Sequence, residues 1–139
     1  MEAYREKKSI TLELGSRMAE AAVKRAEQLG IKINVAIVDE GGHLVHFRRM
    51  DQAPILSIEI AQNKAYTAIA FGLPTHEWYP LISKEPALRD GIVHTPRLVI
   101  FGGGFPIKIV DEVIGGIGVS GGTAEEDIVC CLAALGLIP

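Results

Sequence analysis

The stretch of this 139-residue chain best suited to chemistry is Gly118-Val119-Ser120-Gly121-Gly122-Thr123, which runs straight into Ala124-Glu125-Glu126-Asp127. Glycines bare their backbone N–H groups, and the start of a helix favours negative charge. Ser120, Gly121, Gly122 and Thr123 are therefore candidates for holding a carboxylate or propionate, or the oxyanion of a reaction. The same residues equally suit a plain strand-to-helix turn, with Thr123 as N-cap and Glu126 at capping-box spacing. A second glycine run, Phe101-Gly102-Gly103-Gly104, adds Gly102 and Gly103 as a second wall of one pocket, or as relief of crowding at a bulge or subunit contact.

Charged candidates cluster around the middle of the chain. Asp39, Arg48, Arg49, Met50 and Asp51 flank one turn, and Asn63 and Lys64 follow. Arg48 and Arg49 alternate faces on a strand, so at most one points inward, and a buried Arg needs a carboxylate or an anionic ligand. Asp39 or Asp51 is the expected partner. Lys64 sits in an apolar neighbourhood, where it either binds an anion, acts as a base with a depressed pKa, or carries its charge out to solvent. His94 lies in a His-Thr-Pro stretch between loop signals, with Arg97 close behind to hold an acidic group. Lys64 and His94 are thus the acid–base candidates. The four histidines form no compact ligand pattern, so no structural zinc site is expected. As single axial donors to a haem, Met18, Met50, His43, His46, His76, His94 and Tyr79 all remain open. Tyr66, Trp78 and Tyr79 offer flat surfaces against a ring or simply fill a core.

These residues must be positioned by elements that glycine and proline punctuate clearly. Apolar residues at helical spacing from Ser9 (Leu12, Leu14, Met18, Ala22, Ala26, Leu29) predict an amphipathic helix stopping at Gly30. Ile33–Val38 and His43–Met50 read as an antiparallel hairpin around Asp39-Glu40-Gly41-Gly42. A helix is expected from Ser57 to Phe71, a shorter one over His76–Ile82, and then an irregular, lid-like surface stretch through Pro86, Gly91 and Pro96. Strands are predicted at Arg97–Phe101, Phe105–Val110 and Val113–Val119, and a last helix after Thr123. The order α-β-β-α-α-β-β-β-α gives an α+β fold with a five-stranded, mostly antiparallel sheet flanked by helices.

Composition agrees with a single domain over residues 1–139. The chain is 48% hydrophobic and 22% charged, with a formal net charge of −3, which disfavours disorder and nucleic-acid binding. No run approaches the roughly 18 apolar residues of a membrane span, and Met1–Ile10 lacks a signal-peptide core. Adjacent Cys130 and Cys131 suggest buried, reduced thiols rather than a disulfide framework, and a cytoplasmic setting is expected.

Three segments carry a resemblance that covers Ile10 to Leu135: VAIVDEGGHLVHFRRMDQAPILSIEIAQNKAYTAIAFGLPTHE, LVIFGGGFPI and IGGIGVSGGTAEED. Together they resemble the GlcG/HbpS-like family, labelled haem-degrading or haem-binding and also found fused to PduO-type adenosyltransferases. The resemblance implies a profilin-like sandwich with a five-stranded sheet, homo-oligomers from dimers to octamers, and a small-molecule ligand such as haem. Three functions follow as expectations: a haem or tetrapyrrole binder, an enzyme acting on a small carboxylated or cyclic metabolite, and an accessory subunit of a metabolic operon.

Overall fold

The computed structural model describes residues 1–139. Thr11 caps helix α1 (Leu12–Leu29) by accepting from the Leu14 amide, and Gly30 closes it in the left-handed conformation. Strands β1 (Asn34–Asp39) and β2 (Leu44–Arg49) form the expected hairpin. Helix α2 (Leu56–Phe71) follows, then a 3₁₀ turn (Thr75–Glu77) leading into α3 (Trp78–Ile82). Strands β3 (Gly104–Ile109) and β4 (Glu112–Ser120) form a second hairpin, and α5 (Ala124–Leu135) ends the fold behind the capping box of Thr123 and Glu126.

The sheet is fully antiparallel in the order β2-β1-β4-β3. Side chains alternate across it. Val35 and Ile37 on β1 sit opposite Val119 and Ile117 on β4 and join Met18, Ala22, Cys130, Cys131 and Ala134 beneath α1 and α5. Ala36 and Val38 face the other way, toward Ala61 and Ala65 of α2. Their partners on β4 are Gly118 and Gly116. A Cβ at Gly118 would run into the Ala61 carbonyl and sit 2.6 Å from the Ala65 nitrogen. Glycine at this point lets α2 lie directly on the strand. The result is three layers: α1 and α5, the sheet, and α2.

Two expectations need correction. The sheet has four strands, because Arg97–Phe101 is not one of them. Its backbone groups are taken up by α2 instead: the Thr67 hydroxyl donates to the Arg97 carbonyl and accepts from the Val99 amide, both at 3.0 Å. Arg97 also adopts φ +68°, in the left-handed region that breaks an extended run. The edge of the sheet falls to β3, which explains how Pro106 fits in a strand. The stretch through Pro86 is not irregular throughout. It contains a short helix α4 (Pro86–Ile92), with Pro86 at the first turn, where its missing N–H costs nothing.

Candidate functional site

Lys64 is the most deeply placed charge in the chain. Its residue is 1% exposed, and its ammonium donates to the Val119 carbonyl at 2.8 Å and to Asp127 Oδ2 at 3.0 Å. Asp127 uses its other oxygen to accept from the Gly122 amide at 2.9 Å. Lys64 belongs to the layer on one side of the sheet and Asp127 to the layer on the other, so the pair clamps α2 to α5. Glycine makes the passage. A Cβ on Gly103, at φ +122°, would lie 2.7 Å from Lys64 Nζ and 3.0 Å from Asp127 Cβ. Cys131 Sγ donates to the Gly103 carbonyl at 3.2 Å. Burial pushes the Asp127 carboxyl up, and the Lys64 charge, the Lys64 hydrogen bond and the Gly122 amide pull it only partly back. Burial likewise pushes the Cys130 thiol up to about 11 and Cys131 further still.

Both glycine loops and Lys64 are therefore brought together, in an arrangement that serves the chain itself. The amides at the start of α5 are already occupied. Gly122 donates to Asp127, Thr123 to the Glu126 side chain, and Glu126 to the Thr123 hydroxyl. Ser120 is buried on β4, opposite Asn34. Asp127 was legible only as an acid complementing the helix dipole. The signal that marks it as more is its spacing with Cys130, Cys131 and Ala134, which puts it on the buried face of α5.

The first hairpin separates its charges differently from the expected Arg–Asp pairing. Arg48 Nε donates to His46 Nε2 at 2.9 Å, and Arg48 Nη2 donates to Ser16 Oγ on α1 at 3.0 Å. Arg49 donates twice to the Ala53 carbonyl. Neither meets a carboxylate, because Asp39 is spent inside its own turn. It accepts from the amides of Gly41 and His43, and its Oδ1 lies 3.2 Å from His43 Nδ1. Burial opposes the charge on Asp39, but these hydrogen bonds win and hold its carboxyl below the usual range. For His46, burial first and the Arg48 guanidinium second hold the imidazole below its usual value.

Arg97 and His94 stand apart from Lys64. Arg97 is exposed, its guanidinium 3.8 Å from the Tyr66 ring centroid and its Nε donating to Asn63 Oδ1 at 3.4 Å. His94 is exposed on the loop after α4. Lys64, Arg97 and His94 thus stand in separate surroundings and form no common anion site.

A different face offers a free imidazole. His76, on the 3₁₀ turn, has its ring 5.5 Å from that of Phe105 and its Cβ against Gly102. It lines an open depression of about 390 Å³ with Glu77, Pro80 and Leu81. Leu81, in its lining, is 59% exposed. Sequence reasoning had His76 among several donors. Nothing in its own spacing distinguished it, since Phe105 and Gly102 reach it from β3 and the loop before it.

Residues 10–136 match the family described as haem degrading protein HbpS-like. This chain belongs to the GlcG/HbpS-like family. An uncharacterised 15.0 kDa protein of the dhaT-dhaS intergenic region in Citrobacter freundii is 38% identical over 128 residues, covering 91% of this chain and 90% of that protein. The corrinoid adenosyltransferase PduO of Salmonella typhimurium is 37% identical over 123 residues, 88% of this chain and only 37% of PduO. Among solved structures, protein ORFY of Klebsiella pneumoniae superposes with a TM-score of 0.90 at 34% identity, covering 98% of this chain and 94% of ORFY. A PduOC–haem complex superposes with a TM-score of 0.87 at 34% identity, over 94% of this chain and 95% of that one. No helix of the present chain is long and apolar enough to cross a membrane.

Proposed function

We propose that this chain binds haem, with the His76 imidazole as the axial donor, on a face that a second copy of the chain covers. The observation that carries the reading is the state of the chain's donors. His43 is engaged by Asp39, and His46 Nε2 already accepts from Arg48. Met18 is fully buried, and Met50 Sδ accepts from the Ile33 amide. His94 is exposed with no aromatic ring against it, whereas His76 stands beside Phe105 in an apolar depression. A tetrapyrrole needs one donor and flat apolar surface, and of the four histidines His76 is the one that has both. The PduOC–haem complex of a protein 34% identical to this one supports the ligand class.

A depression of about 390 Å³ falls in the usual range for small-molecule sites, but it is open. One chain would cover one side of the macrocycle. The open depression and its exposed Leu81 make a second copy the natural cover, which gives a homo-oligomer a role in the site. Bound haem would supply the redox and ligand chemistry of its iron, while the chain presents the donor and shields the ring from water. The test is a haem titration followed by absorbance, on protein whose mass in solution is known. The expected result is a saturable Soret shift at a fixed haem-to-chain ratio, in a species larger than one chain. A spectrum that stays that of free haem overturns the proposal.

A further inference from the structure

The stretch that carries α4 is tied to the rest of the chain by very little. Ile82 is 1% exposed and Val99 7%, and not one residue between them is buried. Its hydrogen bonds turn back on itself or on the end of α3. Glu85 donates to the Ile82 carbonyl, Arg89 to that of Glu85, His94 to that of Gly91 and Thr95 to that of Ile92, while the Arg89 guanidinium reaches its neighbour Asp90. Bonds to α2 begin only at the far end, where the Thr67 hydroxyl holds the Arg97 carbonyl and the Val99 amide. A segment with so little buried apolar surface and self-contained hydrogen bonds opens at a free energy well below that of the whole fold.

What lies beneath it is not close-packed. A half-open cavity of about 180 Å³ separates Ile92, Thr95 and Pro96 of this stretch from Tyr66 and Phe71 of α2 and Trp78 of α3. Protein interiors pack at crystal density, so a gap of this size forgoes dispersion contacts that would otherwise hold the two walls together. The two ends, by contrast, are fixed. Ile82 is in the buried interior, and Arg97 takes φ +68° with its guanidinium 3.8 Å from the Tyr66 ring centroid.

From the run without a buried residue, its self-contained hydrogen bonds and the gap beneath it, we infer that Lys84–Pro96 is a lid. It swings as one unit between Ile82 and Arg97 while the sheet, α1, α2 and α5 stay folded, and its position sets access to the aromatic wall of Tyr66, Phe71 and Trp78.

Hydrogen exchange under native conditions tests this. The amides of Arg89, His94 and Thr95 should exchange through one common opening, at least about a hundredfold faster than the interior amides of α2. Ile92→Asp sets a charge against the apolar side of the gap and should favour the open lid, so that exchange at all three amides rises together. Trp78 is the only tryptophan and is 5% exposed, and in Ile92→Asp acrylamide should quench it at least about threefold more strongly, as an opened lid requires. The urea midpoint followed by circular dichroism should stay that of the parent. Amides as protected as those of α2, three amides that respond separately, unchanged Trp78 quenching, or a lowered urea midpoint in Ile92→Asp overturns the proposal. Neither readout involves haem, so each outcome is independent of binding at His76.

Discussion

At the scale of single residues, Lys64 shows how a charge becomes structural. Its ammonium and the Asp127 carboxylate are enclosed, with side chains 1% and 3% exposed. Removing one partner of such a pair leaves the other charge buried and alone, which costs about 3–5 kcal/mol. Lys64→Met should lose stability on that order in urea unfolding, while Lys64→Met combined with Asp127→Leu should recover most of it. A single variant within about 1 kcal/mol of the parent would show that the clamp contributes little. The sequence left Lys64 open between a solvated side chain, an anion site and a base. Its position beside Ala61, Ala65 and Ala68 on a buried face was visible, but its partner lies 63 residues away, beyond the reach of any local pattern.

His46 gives the residue scale its pH dependence. Burial and the neighbouring Arg48 charge keep the folded imidazole neutral at pH values where an unfolded histidine, with its pKa near about 6.5, takes up a proton. Protons then favour the unfolded chain. The contribution of His46 to stability is complete above about pH 6.5 and is lost as the pH falls from there toward the lower, folded pKa. His46→Gln should flatten this part of the stability curve in chemical denaturation at stepped pH. An unchanged slope between parent and variant would refute the assignment.

At the scale of elements, what was legible followed from local chemistry. The cap of α5, the Gly30 stop and the first hairpin are each specified within a few residues, and each formed where the sequence indicated, while α1 starts only after Thr11 rather than at Ser9. The segment from Arg97 to Phe101 reads as a strand by composition but pairs with Thr67 of α2 rather than with β3. Its hydrogen-bond partner decided the outcome, and that partner is 30 residues away. Thr67→Val keeps the shape and removes the hydroxyl, so it should cost about 1–3 kcal/mol and speed hydrogen exchange at the Val99 amide. Unaltered Val99 exchange would mean that other contacts hold this segment.

At the scale of the whole molecule, the four-stranded sheet with α1 and α5 on one side and α2 on the other fixes which candidates can meet. It draws Lys64, Gly103 and the Gly121-Gly122 loop into the clamp, leaves Arg97 and His94 outside it, and presents His76 on an open apolar face. Residue type made Lys64, Arg97 and the Gly121-Gly122 loop each suited to an anion, but they form no common pocket, because the loop amides found acceptors in Glu126 and Asp127 and Arg97 turned toward Tyr66. What the site retains of the sequence reading is the ligand class carried by the family and one histidine among four.

The measurement that bears most directly on this account is the Soret spectrum of His76→Ala during haem titration, beside His43→Ala, His46→Ala and His94→Ala. The account predicts that His76→Ala loses the defined axial-ligand bands and binds haem at least about tenfold more weakly, with the other three variants behaving as the parent. Parent-like bands and affinity in His76→Ala would contradict it.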